Sequence, residues 1–270
     1  MSDVLRNAQA PITDAAWEEI RTQAKRWLTG QLSARRFVDV VGPRGWEFAA
    51  VHRGRVRAGG AESVPGVQWG LRDVQPLIEA RAEFDLAIED LDDAARGARD
   101  LDLEPLLAAV LRIAQFEEQA IYNGFKDGGI EGVLAATPHK PLTCKDEPDA
   151  IVEALEHAIV ELEKAGVGGP FGLATDIPVY ERLMAGAQQG YPIRQRVEPL
   201  FAAGIHRSPA VNGAAVLSAR GGDYVLTLGQ DLSIGYRHHD ARKVTLYLIE
   251  SFAFQVLEPA AAMAIRFPRR

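Results

Sequence analysis

A single cysteine, Cys144, occurs in the 270 residues, which excludes any disulfide within the chain and suits a reducing compartment. Its surroundings, LTCKDEP, read as a loop, so a surface thiol is expected there rather than a nucleophile. No apolar run approaches the roughly 20 residues of a membrane-spanning helix. The leading MSDVLRNAQAPITDAAW lacks an apolar signal region, so a soluble, cytoplasmic protein without a membrane partner is expected. Basic residues are in deficit, 30 Lys and Arg against 37 Asp and Glu, giving a net charge of −7. Apart from Arg266, Arg269 and Arg270 they are dispersed, so no nucleic-acid partner is expected. The catalytic signatures are missing as well. There is no GxSxG elbow, HExxH helix or deaminase pattern, and neither GxGxxG nor GxxxxGK[ST] stands between a strand and a helix.

What is present is an unusual stretch from Gly42 to Pro76, GPRGWEFAAVHRGRVRAGGAESVPGVQWGLRDVQP. It has no helical face. Apolar and polar residues alternate in short pieces punctuated by glycines, which reads as strands joined by turns. A two-stranded ribbon is marginal on its own, and Trp46 and Trp69 need cover. Two readings stay open: a hairpin packed on its own domain, or an arm lying on a neighbouring subunit.

Around it the chain alternates helices and strands. Residues 13–29 predict a helix with Thr13 as cap, Trp17, Ile20, Ala24, Trp27 and Leu28 as an apolar stripe, and Gly30 as stop. Strands are expected over Arg35–Val40, Leu77–Phe84, Tyr224–Leu228 and, long and bent, Val244–Leu257. The longest helix is expected over 103–124, capped by Asp102. Its Glu117 and Glu118 invite a carboxylate–metal reading, but a ferritin-like centre wants Glu-x-x-His pairs on several helices. This helix has no histidine, so salt-linked glutamates in a core spine are expected. Glu153, His157 and Glu161 read as surface pairing on a helix over about 149–165, and His238, His239 and Asp240 as a surface turn. No catalytic residue and no metal site is assigned. The segment Ala185–Pro192 reads as a flexible loop whose only large ring is Tyr191.

Several phrases together resemble the encapsulins, shell proteins of bacterial and archaeal nanocompartments. They are APITDAAWEEI at 10–20, ARRFVDVVGPRGWEFAAV at 34–51, WGLRDVQPLIEARAEFDL at 69–86, QFEEQAIYNGFKDGGIEGVL at 115–134, GYPIRQRVE at 190–198, RGGDYVLTLGQDLSIGY at 220–236 and TLYLIESFAFQVLEPAA at 245–261. The resemblance runs through the chain in order. It implies an α+β, HK97-like capsid fold. Residues 1–41 would carry an N-terminal arm and helix with the start of a peripheral domain, and 42–77 an extended loop. Residues 78–134 would continue the peripheral domain with its spine helix, 135–225 would form an axial domain, and 226–270 would complete the peripheral domain.

The same resemblance implies that Trp46, Phe48 and Trp69 serve assembly and that Gln188, Gln189, Gly190 and Tyr191 lie near a pore. Trp17, Ile20, Ala24 and Trp27 would receive the short targeting peptide of a cargo protein. The expected partners are further copies of the chain, about sixty in the smallest icosahedral shell, and a cargo that is ferritin-like, for iron storage, or a peroxidase. The shell itself needs no cofactor. Some members hold a flavin near a tryptophan after the extended loop; Glu89 stands at the matching place here, leaving only nearby aromatics for such a group. A phage-type major capsid protein, or a soluble enzyme, is the alternative.

Overall fold

The computed structural model describes residues 4–60, 64–145, 147–188 and 191–267. Helix α1 (Asp14–Gln31) starts where Thr13 Oγ1 accepts the Ala16 N–H at 3.4 Å, with Asp14 in the first turn. Its buried stripe is Ala16, Trp17, Ile20, Ala24 and Leu28. The helix passes the expected stop: Gly30 faces open space, and the Leu32 N–H still reaches the Leu28 carbonyl. An exposed glycine costs only about 1 kcal/mol in a helix, and Leu32 is drawn into the core.

Strand β1 (Asp39–Val41) follows a 3-10 turn at Ala34–Arg36. The strand expected from Arg35 is therefore shortened, because Arg35 turns inward to an ion-pair partner instead of alternating. The chain then runs through β2 (Ala50–Ala58), β3 (Gly70–Pro76), β4 (Ile78–Ala87), α2 (Ile88–Ala95) and α3 (Glu104–Asn123). Leu103, not the expected Asp102, is the N-cap of α3 and makes no side-chain cap; Asp102, one residue earlier, accepts the Glu104 N–H through Oδ1 at 3.0 Å. At the far end Gly124 has φ +93°, and a Cβ there would sit 2.8 Å from the Gly132 nitrogen. That close crossing requires glycine.

The second half comprises α4 (Val133–Ala136), β5 (Leu142–Thr143), α5 (Pro148–Lys164), β6 (Phe171–Thr175) and α6 (Ile177–Ala185). It continues with β7 (Ala187–Gln188), β8 (Tyr191–Pro192), α7 (Ile193–Val197), β9 (Ile205–Arg207) and β10 (Ala214–Ser218). The last strands are β11 (Tyr224–Leu228), β12 (Ser233–His239), β13 (Lys243–Val256) and β14 (Ala262–Arg266).

Two five-stranded sheets organise the molecule. In the first, β13 is long enough to serve three partners: β12 and β11 in succession along one edge and β4 along the other, with β1 parallel to β11 beyond. Leu246 and Leu248 face α1 and the first half of α3, meeting Ile20, Leu106, Val110 and Ile113 in one core. The second sheet has the order β5-β14-β10-β6-β9. Every residue of β6 and β10 is buried, as strands covered on both faces require. The second half of α3 packs into this core, so one helix ties both halves together.

Ala262–Arg266 pairs with β10 and β5 in the second sheet. Two expectations change. His238 and His239 end β12 instead of forming a turn, pairing with Thr245 and Val244 across a bulge. Cys144 is buried rather than a surface thiol, because its N–H bonds the Arg266 carbonyl and extends the β5–β14 pairing inward. Among the described residues no helix is long and apolar enough to cross a membrane.

Candidate functional site

Among the described residues β2 and β3 pair only with each other. From His52 to Val74 the described residues are exposed, Gly59 and Asp73 excepted. Val56 is 61% exposed, Leu71 59% and Trp69 48%, although the Trp69 ring already lies over Gly59, where a Cβ would come within 2.3 Å of it. Trp46 is exposed and Phe48 half-buried near the base. The ribbon is thus not folded onto its own body. Its root is fixed, however. The Arg44 N–H donates to the Leu228 carbonyl at 3.0 Å and the Gly45 N–H to the Gly229 carbonyl at 2.8 Å. Gln75, buried, donates through Nε2 to the Phe254 carbonyl at 2.9 Å. A firmly rooted ribbon with apolar residues in water on a marginal two-stranded scaffold is built to be covered by something else.

The second feature is a groove of about 710 Å³ beside α1. Ala24, Leu28 and Leu32 form one side, and Leu232, Ile234 and Leu248 the other. Leu5 closes one end, held by the Tyr236 N–H donating to its carbonyl at 2.8 Å. Arg21, Lys25 and Arg36 stand exposed at the rim. Of the residues expected to receive a peptide, only Ala24 lines this groove. Trp17 and Ile20 are buried in the core against α3, and Trp27 lines a separate cavity of about 390 Å³ with Leu101 and Leu107. The sequence reading missed Leu32, Leu232 and Ile234. Their signal is the phrase DLSIGY, whose alternation marks β12, but no spacing shows that β12 lies beside α1.

Behind the groove sits a buried ionic cluster. Arg35 lines the groove and reaches inward, with Nε donating to Glu117 Oε1 at 2.8 Å and Nη2 to Glu117 Oε2 at 2.5 Å. Its Nη1 donates to Asp231 Oδ1 at 2.9 Å, and Glu250 Oε2 lies 3.5 Å from Nη2. Burial alone would lower the Arg35 pKa, but the Glu117 and Asp231 carboxylates more than offset it and the net shift is upward. Glu250 is fully buried, and its pKa is pushed well above the ordinary value by burial and then by Glu117. Glu118 accepts from Ser33 Oγ at 2.5 Å, Ser208 Oγ at 2.6 Å and the Ala34 N–H at 2.8 Å. Burial pushes its pKa up to about 7 against those donors. The salt link expected at Glu117 is present. Among the described residues no group of three or more His, Cys, Asp or Glu is arranged to hold a metal ion.

The remaining sequence candidates stand elsewhere. Gln188 and Tyr191 pair in the two-residue strands β7 and β8, while Gln189 and Gly190 lie outside the described residues. Glu89 is exposed in the first turn of α2.

Comparison with known proteins places this arrangement. Residues 1–253 match the family described as "Encapsulating protein for peroxidase". The type 1 encapsulin shell protein of Rhodospirillum rubrum is 41% identical over 274 aligned residues, covering 98% of this chain and 97% of that protein. That of Mycobacterium tuberculosis is 38% identical over 256, covering 95% and 96%. Among solved structures, the virus-like particle from Pyrococcus furiosus superposes with a TM-score of 0.64 at 16% identity, covering 92% of this chain and 98% of that one. The Mycobacterium phage Bobi structure gives 0.59 at 15%, covering 89% and 91%. These two likenesses establish the fold, an α+β HK97-like capsid fold. With the family match and both relatives spanning nearly the whole chain, the protein belongs to the type 1 encapsulin shell-protein family.

Proposed function

We propose that the protein assembles with copies of itself into a closed cage of about sixty subunits that encloses a cargo protein in the cytoplasm. The observation that carries this reading is the ribbon, rooted by a buried hydrogen bond yet exposed along its length with Val56, Trp69 and Leu71 in water. Closed symmetry gives each ribbon a neighbouring copy to lie on, and each contact is repeated around the cage. Trp46, Phe48 and Trp69 serve that contact. The cage acts structurally: it confines cargo and admits small solutes through openings to which the β7–β8 hairpin contributes.

The cargo carries a short apolar targeting peptide that orders in the groove between α1 and β12. Leu28, Leu32, Leu232 and Ile234 supply its floor, with Ala24 at the edge. A ferritin-like, iron-storing cargo fits this reading, with a peroxidase as the other class. The cage needs no flavin in this reading; Glu89 offers no ring to stack on, which leaves only nearby aromatics for such a group.

Light scattering coupled to size exclusion, on protein expressed without cargo, tests the cage. A uniform particle of about 1.8 MDa, or about sixty copies of the 29.4 kDa chain, is expected. A monomer or small oligomer across salt and concentration overturns the reading. Cargo binding is tested by Leu232→Asp, which leaves the particle intact and empties it of co-purifying cargo; unchanged loading moves the peptide site elsewhere.

A further inference from the structure

The ionic cluster behind the groove holds more acid than base. Glu117 and Asp231 share the one guanidinium of Arg35, and Glu250 approaches the same group without a place on it. Neither Glu250 oxygen has a hydrogen-bond partner, and the side chain is 0% exposed. An ionised carboxylate in that position would be desolvated, unsolvated by any donor and beside two other negative groups, which interiors do not tolerate. A proton on Glu250 removes the charge and supplies a donor facing Glu117. Of the titratable groups that face it, Arg35 alone favours the charge: Glu117 faces it from α3, Arg35 from the segment after α1 and Asp231 from the loop before β12. From β4 its register partner is Ala80. The direction of the Glu250 shift, upward through burial and Glu117, agrees with this placement.

The members differ in access to water. Glu117 and Glu250 are sealed, Arg35 is 16% exposed and Asp231 is 44% exposed. Arg35 and Asp231 are the two that line the groove. Charge added in the sealed half is therefore relieved at the groove, where the Arg35–Asp231 contact stands nearest to water. We propose that Arg35, Glu117, Glu250 and Asp231 form a proton-operated latch in the groove's inner wall. It is closed while Glu250 holds a proton and loosened when that proton is released to water. The step is one deprotonation: the Glu250 O–H bond breaks, its electron pair stays on the carboxylate, and the guanidinium is contested by three carboxylates instead of two. This latch does not depend on what the groove receives.

The sign follows from the raised native pKa. The latch is fully held below the ordinary glutamate value of 4.5 and is progressively lost as pH rises from there towards the native value. Hydrogen–deuterium exchange on the intact protein, corrected for intrinsic rates, reads it at Ser33–Arg36 and Asp231–Ser233. The ratio of opening constants between the wild type and Glu250→Gln is expected to climb by about tenfold per pH unit, the slope of one linked proton. Taking the ratio cancels the separate titration of Glu118. A ratio that stays flat with pH overturns the latch. Infrared spectroscopy of the wild type covers the case in which the variant does not fold. Below the Glu118 titration near 7, the carbonyl bands of two buried protonated carboxylic acids are expected, Glu118 and Glu250. Absence of the second band overturns the proposal, and its loss on alkaline titration, together with faster exchange at Ser33–Arg36, supports it.

Discussion

Glu118 places one carboxyl among three donors drawn from separate parts of the chain: Ser33 and the Ala34 N–H after α1, and Ser208 after β9. Burial nevertheless dominates and raises its native pKa from 4.5 to about 7. The folded state then holds this proton more tightly than the unfolded chain does. Its contribution is complete below 4.5 and is lost as pH rises to about 7, a change of about 3 kcal/mol. Glu118→Gln cannot titrate, so the difference in thermal midpoint between wild type and variant is expected to drift in the variant's favour from about pH 5 to about pH 8. A difference that is constant with pH would show that Glu118 is ionised throughout. The sequence made Glu117 and Glu118 visible as acids in an apolar helix without histidine, which was enough to favour salt links over a metal. It did not distinguish their roles. One meets Arg35, 82 positions away, and its neighbour meets only hydroxyls and an amide. Residue-scale patterns show that a buried acid needs a partner, not which one it finds.

At the scale of elements, local signals served well where capping and periodicity coincide. Thr13 and the stripe through Leu28 were enough to place α1, and the spine helix fell within a residue of its expected start. The ribbon's strands were legible too, from glycine-rich alternation over thirty-five residues, but that pattern left open whether they pack on their own domain or stand away from it. What hid was the fate of short or alanine-rich strands. β12 contains Gly235, against which Tyr247 packs, and β14 has two alanines in five residues; both are held by sheet partners rather than by propensity. The ribbon carries two predictions. Trp69→Ala is expected to lower the fraction of assembled particle by more than tenfold, corresponding to about 1.5–2 kcal/mol per contact, with little change in the protomer's circular dichroism. Sedimentation velocity reads the first and spectroscopy the second; an unfolded protomer would place Trp69 in the chain's own core instead. Gln75→Ala removes the buried donor from the Phe254 carbonyl, at a cost of about 1–3 kcal/mol. Since that bond roots the ribbon, limited proteolysis is expected to cut within 50–76 faster than in wild type. Unchanged cleavage would mean that the Arg44 and Gly45 contacts alone hold the root.

Over the whole molecule, contacts that join distant stretches decide the function, and these were the least legible. The groove brings residues 24–32 beside 232–248, a juxtaposition that only the folded sheet creates. The stripe on α1 could therefore be read, but not which of its members face the groove: Ile20 turns to the core, whereas Ala24 and Leu28 line the groove. Assembly is the other property of the whole. Each chain brings a net charge of −7, so closing many copies into one cage concentrates like charge, and that repulsion is screened beyond about 10 Å at 0.1 M salt. The ribbon offers Val56, Val64, Val67 and Leu71, apolar contacts that salt does not weaken. The two terms act in the same direction. At fixed protein concentration the particle fraction, followed by light scattering, is expected to rise as salt goes from about 0.01 M to about 0.15 M. Above that it should hold steady, because the repulsion is already screened and burial of the ribbon remains. Dissociation on adding salt would reverse the assignment: ion pairs across the subunit contact would then outweigh the apolar ribbon, and the exposed valines and Leu71 would need another role.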